Sequence, residues 1–381
     1  MRKSIAVAGA LTASVLALAA CSSSSTPASS SSPAGSSSAS PSSAAGISAA
    51  QTFLTQYTLN PTTLGALTPL SKKPASGKLV IGLANNTGSA TQLNKAWGDA
   101  AAQLGWSYKF IDDGVTPATE QTAMNAAIAL NPAGIMTSGI PAQTIQSDLA
   151  LAASKGIYVN TSADTDPSSP TGFYDTSIAD VHQLDLWGQM IAAEVVVDSQ
   201  GKAKVQDFSL PVYPILERFD TSFHQWLTTW CPACTFNENP QQGADIGTKT
   251  PGAVVSALQK APDTNWIIFD LGDLSDGVPA ALTAAGITTV HIGGLTATPA
   301  NIVAVKAGTQ DAWTAYSLPI VGYRQVDSLA RKFNGDPILN VPLPTQVINK
   351  ANAANVVVDS QNNYVGLTDY KSQFATLWLL G

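Results

Sequence analysis

Between Lys78 and Gly294 the sequence alternates short apolar runs with stretches of helical period, and this restricts the chain to an α/β fold built on parallel sheets. Residues 79–81 read as a buried strand ending at Gly82, and 93–104 as a helix closed by Gly105. A strand at 106–111, a helix at 118–130 stopped by Asn131-Pro132, and a strand at 134–137 follow. A helix at 142–155 capped by Gly156 and a strand at 157–159 complete the set. A second set begins with a helix face marked by Ile178, Val181, Leu184, Ile191 and Val195. It continues with a strand at 204–208, helices at 215–230 and around 254–258, a strand at 266–269, a helix at 278–285 and a strand at 289–292. Two such sets predict two lobes with a cleft between them. In open α/β sheets, ligands bind beyond the carboxyl ends of the strands.

Those ends carry Asn85-Asn86-Thr87, Ser138-Gly139, 161–166, 211–213 and 270–273. They are neutral or acidic and rich in hydrogen-bonding groups, which suits a hydroxylated or amide-bearing small molecule. Asn85 and Asn86 are also good turn formers, Arg218 stands at a helix start, and Asp273 is a candidate helix cap.

The first 50 residues indicate where such a fold works. Arg2 and Lys3 precede an apolar run over 5–20, too short to span a bilayer, and small residues stand before Cys21. This predicts a signal peptide over 1–20. Leu18-Ala19-Ala20-Cys21 resembles the bacterial lipobox, which implies lipidation of Cys21 and anchoring to the outer face of the cell membrane. Residues 22–43 hold 14 serines in 22 positions, with Pro27, Pro33 and Pro41. So little apolar surface cannot offset chain entropy, so 21–48 is expected to be a disordered tether with a reach on the order of 25–30 Å. Residues 49–77 are expected to form an extension, a short helix and an extended stretch docked on the main body.

Without the signal, 17 basic side chains face 26 acidic ones, a net charge of −9, which argues against nucleic acid as a partner. Apart from Cys21, the cysteines form one pair, Cys231 and Cys234. In an oxidising compartment a structural disulfide is the expected reading, with a redox-active pair or half a metal site as alternatives. His182, His224 and His291 lack metal-like spacing, and the tryptophans at 97, 106, 230, 266, 313 and 378 read as packing residues. No metal or cofactor is expected. Neither Gly-x-Ser-x-Gly, nor a phosphate-binding Gly-x-x-x-x-Gly-Lys, nor Gly-x-Gly-x-x-Gly occurs.

Over 78–340 the chain resembles the sugar-type (type 1, ribose-binding-like) periplasmic binding proteins that serve ABC importers. The resemblance rests on the residues 79–83, 133–137, 153–159, 267–273 and 305–308 in their order and spacing. It implies two Rossmann-like lobes joined by a three-crossing hinge near Thr176, Ser317 and Pro342. The first lobe would comprise 78–176 and 318–342, the second 177–317 and 343–381. It places the sugar-binding Asn, Arg and Asp of the family at Ser138, Arg218 and Asp273, and the hinge Gln at Ser317. The family's Asp-Arg pair falls at Ala163-Asp164, its last Asp at Gly293, and its stacking aromatics at 87–90, where none stands. Stacking must then come from Tyr213, Trp187 or Tyr316. The implied function is a monomeric receptor for a monosaccharide or polyol, partnered by a membrane permease. A sensor that presents its solute to a signalling protein is the alternative. A glycosidase using two of Asp164, Asp175, Asp270 and Asp273 is a third reading.

Overall fold

The computed structural model describes residues 43–85 and 88–381. Helix α1 (Ser43–Leu54) opens it, and a 3-10 turn at Thr55–Tyr57 leads into an extended run to Lys78. The first sheet holds β1 (Leu79–Ala84), β2 (Ser107–Asp112), β3 (Gly134–Ser138), β4 (Tyr158–Ser162) and β5 (Tyr174–Ile178). All are parallel, in the order β2-β1-β3-β4-β5. Between them lie α2 (Gly88–Gln103), α3 (Pro117–Ala129) and α4 (Gln146–Ser154).

Strand side chains alternate faces, and that alternation splits the core in two. Val80, Met136 and Tyr158 join Trp97 of α2 on one face, while Ile81, Ile135 and Val159 join Met124, Ile128 and Ala152 of α3 and α4 on the other.

The second lobe begins with α5 (Val181–Asp198), β6 (Lys204–Ser209), α6 (Pro214–Trp230), β7 (Thr235–Pro240) and α7 (Thr250–Lys260). It continues through β8 (Trp266–Phe269), α8 (Val278–Ala284), β9 (His291–Gly294), α9 (Pro299–Ala307) and β10 (Ala312–Tyr316). Helix α10 (Leu318–Asn334) intervenes before β11 (Thr345–Asn349), and α11 (Tyr370–Leu377) ends the chain. The sheet order is β11-β10-β9-β8-β6-β7, with β11 antiparallel. Gly294, at φ +155°, ends β9 where a Cβ would stand 1.9 Å from the Phe269 carbonyl oxygen, so only glycine fits.

Helix α10 returns to the first sheet. Gln325 takes the Trp97 indole N–H at 2.9 Å and donates to the Thr137 carbonyl at 2.8 Å, while Asn160 donates to the Gln325 carbonyl at 2.8 Å. Ser328 donates to Asp175 at 2.7 Å. These groups are buried and mutually satisfied, a condition that fixes one packing of the helix.

Three expectations need correction. Residues 43–48 are helical rather than part of the tether, because Gly46 and Ile47 pack against Trp230 and Gly201 of the second lobe; at Gly46 a Cβ would lie 1.9 Å from the Trp230 oxygen. The end of 343–381 does not belong to the second lobe. Helix α11 packs on α10 through Tyr323, Phe374 and Trp378, and its Lys371 pairs with Asp99 of α2. The apolar side chains of this helix meet an apolar patch on the first lobe that would otherwise face water. Ile178, read as helical, closes β5 instead.

The extended run after α1 links the lobes as well. The Thr58 carbonyl accepts from Gln346 and Asn352, and farther along Arg331 of α10 donates to the Thr68 carbonyl.

Candidate functional site

The carboxyl ends of the first sheet carry small polar groups on rigid strands. Ser138 ends β3 and accepts from Ser162 Oγ of β4 at 3.1 Å. Asn85 follows β1 and is partly buried, whereas Asn86 lies outside the described residues. Beyond β4, Ala163 adopts φ +56°, a left-handed conformation that costs a non-glycine residue energy, and turns Asp164 inward. Asp164 is buried; it takes the Tyr174 hydroxyl at 2.6 Å and the Asp166 amide at 3.0 Å. Burial raises its carboxyl above the usual range, and those two bonds oppose the rise.

In the second lobe, Tyr213 stands at the start of α6 with 47% of its surface exposed. Arg218, one turn farther, forms a forked pair with Asp185 of α5, Nε to Oδ1 at 2.6 Å and Nη2 to Oδ2 at 2.5 Å. Its guanidinium is thereby engaged within its own lobe, tying α5 to α6. Asp273 sits in the 3-10 turn Gly272–Ser275 after β8; its backbone carbonyl accepts the Asp276 amide at 3.1 Å, and its carboxylate accepts from its own backbone amide but from no other residue. Burial, then the nearby Asp276, raises its carboxyl. Most of the hydrogen-bonding capacity of its carboxylate is unspent.

Ser317 is buried and spent differently. Its Oγ caps α10 at the second crossing by accepting the Ile320 amide at 3.4 Å. Trp187 is not a platform for a ligand, because its ring is buried and stacked on Tyr316 at 4.3 Å, with its N–H given to Thr345 at 2.9 Å.

Three buried carboxylates went unnoticed as a group in the sequence: Asp207 of β6, Asp220 of α6 and Asp270 after β8. Asp270 takes the Leu210 amide at 2.5 Å and Asp207 meets His224 Nε2 at 2.6 Å, yet each of the three keeps one buried oxygen without a partner. Burial and mutual repulsion push Asp270 to about 8 and Asp220 to about 11, so both hold protons at neutral pH. Asp207 and Asp220 are ordinary polar positions by period; only folding brings them against Asp270.

The lobes meet at three chain crossings, between β5 and α5, between β10 and α10, and between α10 and β11. At the first, Asp180 caps α5 by accepting the His182 amide at 3.0 Å, and its other oxygen accepts from Asn340 of the third at 2.7 Å. Asp166, Ser168 and Ser177 share a cavity of about 300 Å³ with Asp180, His182 and Asn340. Cys231 and Cys234 are bonded, Cα to Cα 5.3 Å, across the turn between α6 and β7. Among the described residues no group of His, Cys, Asp or Glu is arranged to hold a metal, and no helix is long and apolar enough to cross a membrane. Cys21 lies outside the described residues.

A family model described as a periplasmic binding protein domain matches residues 79–337, most of both lobes and the first two crossings, and ends at the start of the third. The chain belongs to this family. No curated protein matches it in sequence. The fold of this periplasmic binding protein is the type 1 arrangement of two parallel-dominated sheets, and solved structures share it. A sugar ABC transporter from Yersinia enterocolitica subsp. enterocolitica 8081 matches with TM-score 0.67 and 17% identity, over 82% of this chain and 99% of its own. A solute-binding protein from Agrobacterium vitis with bound allitol matches with TM-score 0.64 and 19% identity, over 73% and 97%. A third, from Bacillus halodurans C-125 with bound myo-inositol, matches with TM-score 0.62 and 15% identity, over 74% and 97%.

Proposed function

We propose that this periplasmic binding protein is the extracytoplasmic substrate-binding subunit of an ABC importer, anchored through a lipid on Cys21. It captures a small polar solute, a monosaccharide or polyol, by closing its two lobes, and delivers it as a monomer to a membrane permease. The observation that carries this reading is the unspent carboxylate of Asp273 at the end of the central strand of one sheet. The other sheet offers hydroxyl and amide groups at Ser138 and Asn85. A carboxylate accepts from two adjacent hydroxyls at once, so it suits a polyol. Relatives of the same fold with bound allitol and myo-inositol support the choice of solute. Tyr213, exposed at the start of α6, is the candidate for stacking on its apolar face.

Capture follows from closure: groups from both lobes surround the solute, and its burial favours the closed state. We read the protein as a receptor and not an enzyme. Asp164 is held through both oxygens by Tyr174 and the Asp166 amide, and Asp270 accepts the Leu210 amide through one oxygen, roles that fix loops. A thermal-shift screen of sugars, polyols, nucleosides and amino acids tests the reading. At least one sugar or polyol should raise the unfolding temperature; silence across the whole panel would remove it.

A further inference from the structure

A separate cavity of about 540 Å³ lies where the end of α1 and residues 58–60 cover α5 and the turn after β11. That size falls within the range of small-molecule sites, about 300–1,000 Å³. Its walls include Asn60, Glu194, Asp198, Gln346, Asn349 and Asn352, and no lysine or arginine lines it.

The amide donors of the buried and half-buried wall residues are already committed, while Gln51 and Asn355 are exposed. Gln346 Nε2 and Asn352 Nδ2 both donate to the Thr58 carbonyl, at 3.0 and 2.9 Å. Asn60 Nδ2 donates to the Asn355 carbonyl at 2.8 Å, and Asn349 Nδ2 to Glu194 Oε2 at 2.9 Å. What remains unspent is acceptor capacity. Asn60 Oδ1 is buried with no partner, and Glu194 keeps its second oxygen. Asp198 adds a second carboxylate, 3.4 Å from His291 Nδ1. A buried acceptor without a donor is costly, and an ammonium group carries three donors and no acceptor.

We propose that this cavity is a second binding site, for a small hydrophilic amine whose ammonium group donates to Glu194 and to the Asn60 side-chain carbonyl. It is independent of solute capture between the lobes. Burial lifts the Glu194 carboxyl to about 7, with Asp198 of α5 and Asp311 before β10 adding to the rise. The other charged groups around this corner are His291 of β9 and Lys350 after β11, both paired with Asp311. An incoming ammonium displaces the Glu194 proton, so binding tightens as pH rises from 6 to 8.

The test is calorimetric titration of the folded chain with putrescine and ethanolamine, set against 1,4-butanediol and ethylene glycol as uncharged matches. The amines bind and the diols bind at least tenfold more weakly. Glu194→Gln keeps the shape and the Asn349 bond but weakens the amines at least tenfold. Ala351→Trp, at the exposed mouth, does the same without touching the core. Asp273→Ala leaves amine binding unchanged. Two outcomes overturn the proposal: neither amine binds, or binding is lost in Asp273→Ala and kept in Glu194→Gln. Because sugar capture is read out by Asp273→Ala and amine binding by Glu194→Gln, failure of one proposal is distinguishable from failure of the other.

Discussion

The indole N–H of Trp378 donates to Asp327 Oδ1 at 2.9 Å, while Asp327 Oδ2 takes Nε of Arg331 at 2.7 Å. One buried carboxylate therefore joins the last turn of the chain to the helix that re-enters the first lobe, and Arg331 passes the connection to the Thr68 carbonyl. Residues 58–78 and 350–369 thus run between the lobes in addition to the three hinge crossings.

Trp378→Phe keeps most of the ring but leaves Asp327 Oδ1 buried without its donor. The expected cost is about 1–3 kcal/mol, and Trp378→Ala, which opens a cavity as well, about 3–5 kcal/mol. Urea unfolding measures both. An unchanged midpoint in Trp378→Phe would show that the bond contributes nothing net.

Asp273→Ala should leave stability within about 0.5 kcal/mol, since this carboxylate has no partner on another residue to lose. It should weaken whichever sugar or polyol the screen identifies by about 2 kcal/mol, roughly thirtyfold, because it strips a charged acceptor from bound hydroxyls. Titration calorimetry separates the two effects, and an unaltered affinity removes Asp273 from the site.

Stability should fall in alkali. Asp270 and Asp220 have native values of about 8 and about 11, against 3.8 in the unfolded chain. Between those limits the native state holds protons that the unfolded chain has released. The contribution is complete below pH 4 and is lost as pH rises through the native values of the two interacting groups. Denaturant midpoints at pH 6, 8 and 9.5 should decline in that order. Asp220→Asn should flatten the decline, because a neutral amide has no proton to lose; a wild-type midpoint indifferent to pH contradicts the assignment.

Reducing Cys231–Cys234 should cost only about 2 kcal/mol, since the bond closes a loop of three residues in sequence separation and removes little chain entropy. A denaturant curve with and without dithiothreitol measures this. Solute affinity should not change, because the turn between α6 and β7 lies away from the strand ends that carry Ser138 and Asp273.

The clearest strands in the sequence are buried on both faces. Val80-Ile81 and Trp266–Phe269 are continuous apolar runs because neighbours cover both sides, and such runs have few other uses. Four strands are not read from the sequence: β5, β7 and β11 lie at sheet edges, where one flank faces something other than a strand and polar residues are tolerated, while β10 lies inside the second sheet beyond the last regular repeat at Gly294. The resemblance assigns all of 343–381 to the second lobe, whereas α11 at its end covers the first, because the surface that a segment packs against is a property of distant residues.

The sequence alone determined the parallel α/β architecture and where the polar strand ends fall, because period, caps and buried runs are local properties that act within a few residues. Tertiary structure alone decided which of the polar side chains remain free. It ties Arg218 to Asp185, spends Ser317 on a helix cap, hides Trp187 against Tyr316 and leaves the Asp273 carboxylate without a partner on another residue. It also gathers Asp207, Asp220 and Asp270 from three elements into one buried group. Whether a side chain binds a ligand depends on which neighbours have already satisfied it, and those neighbours come from distant parts of the chain.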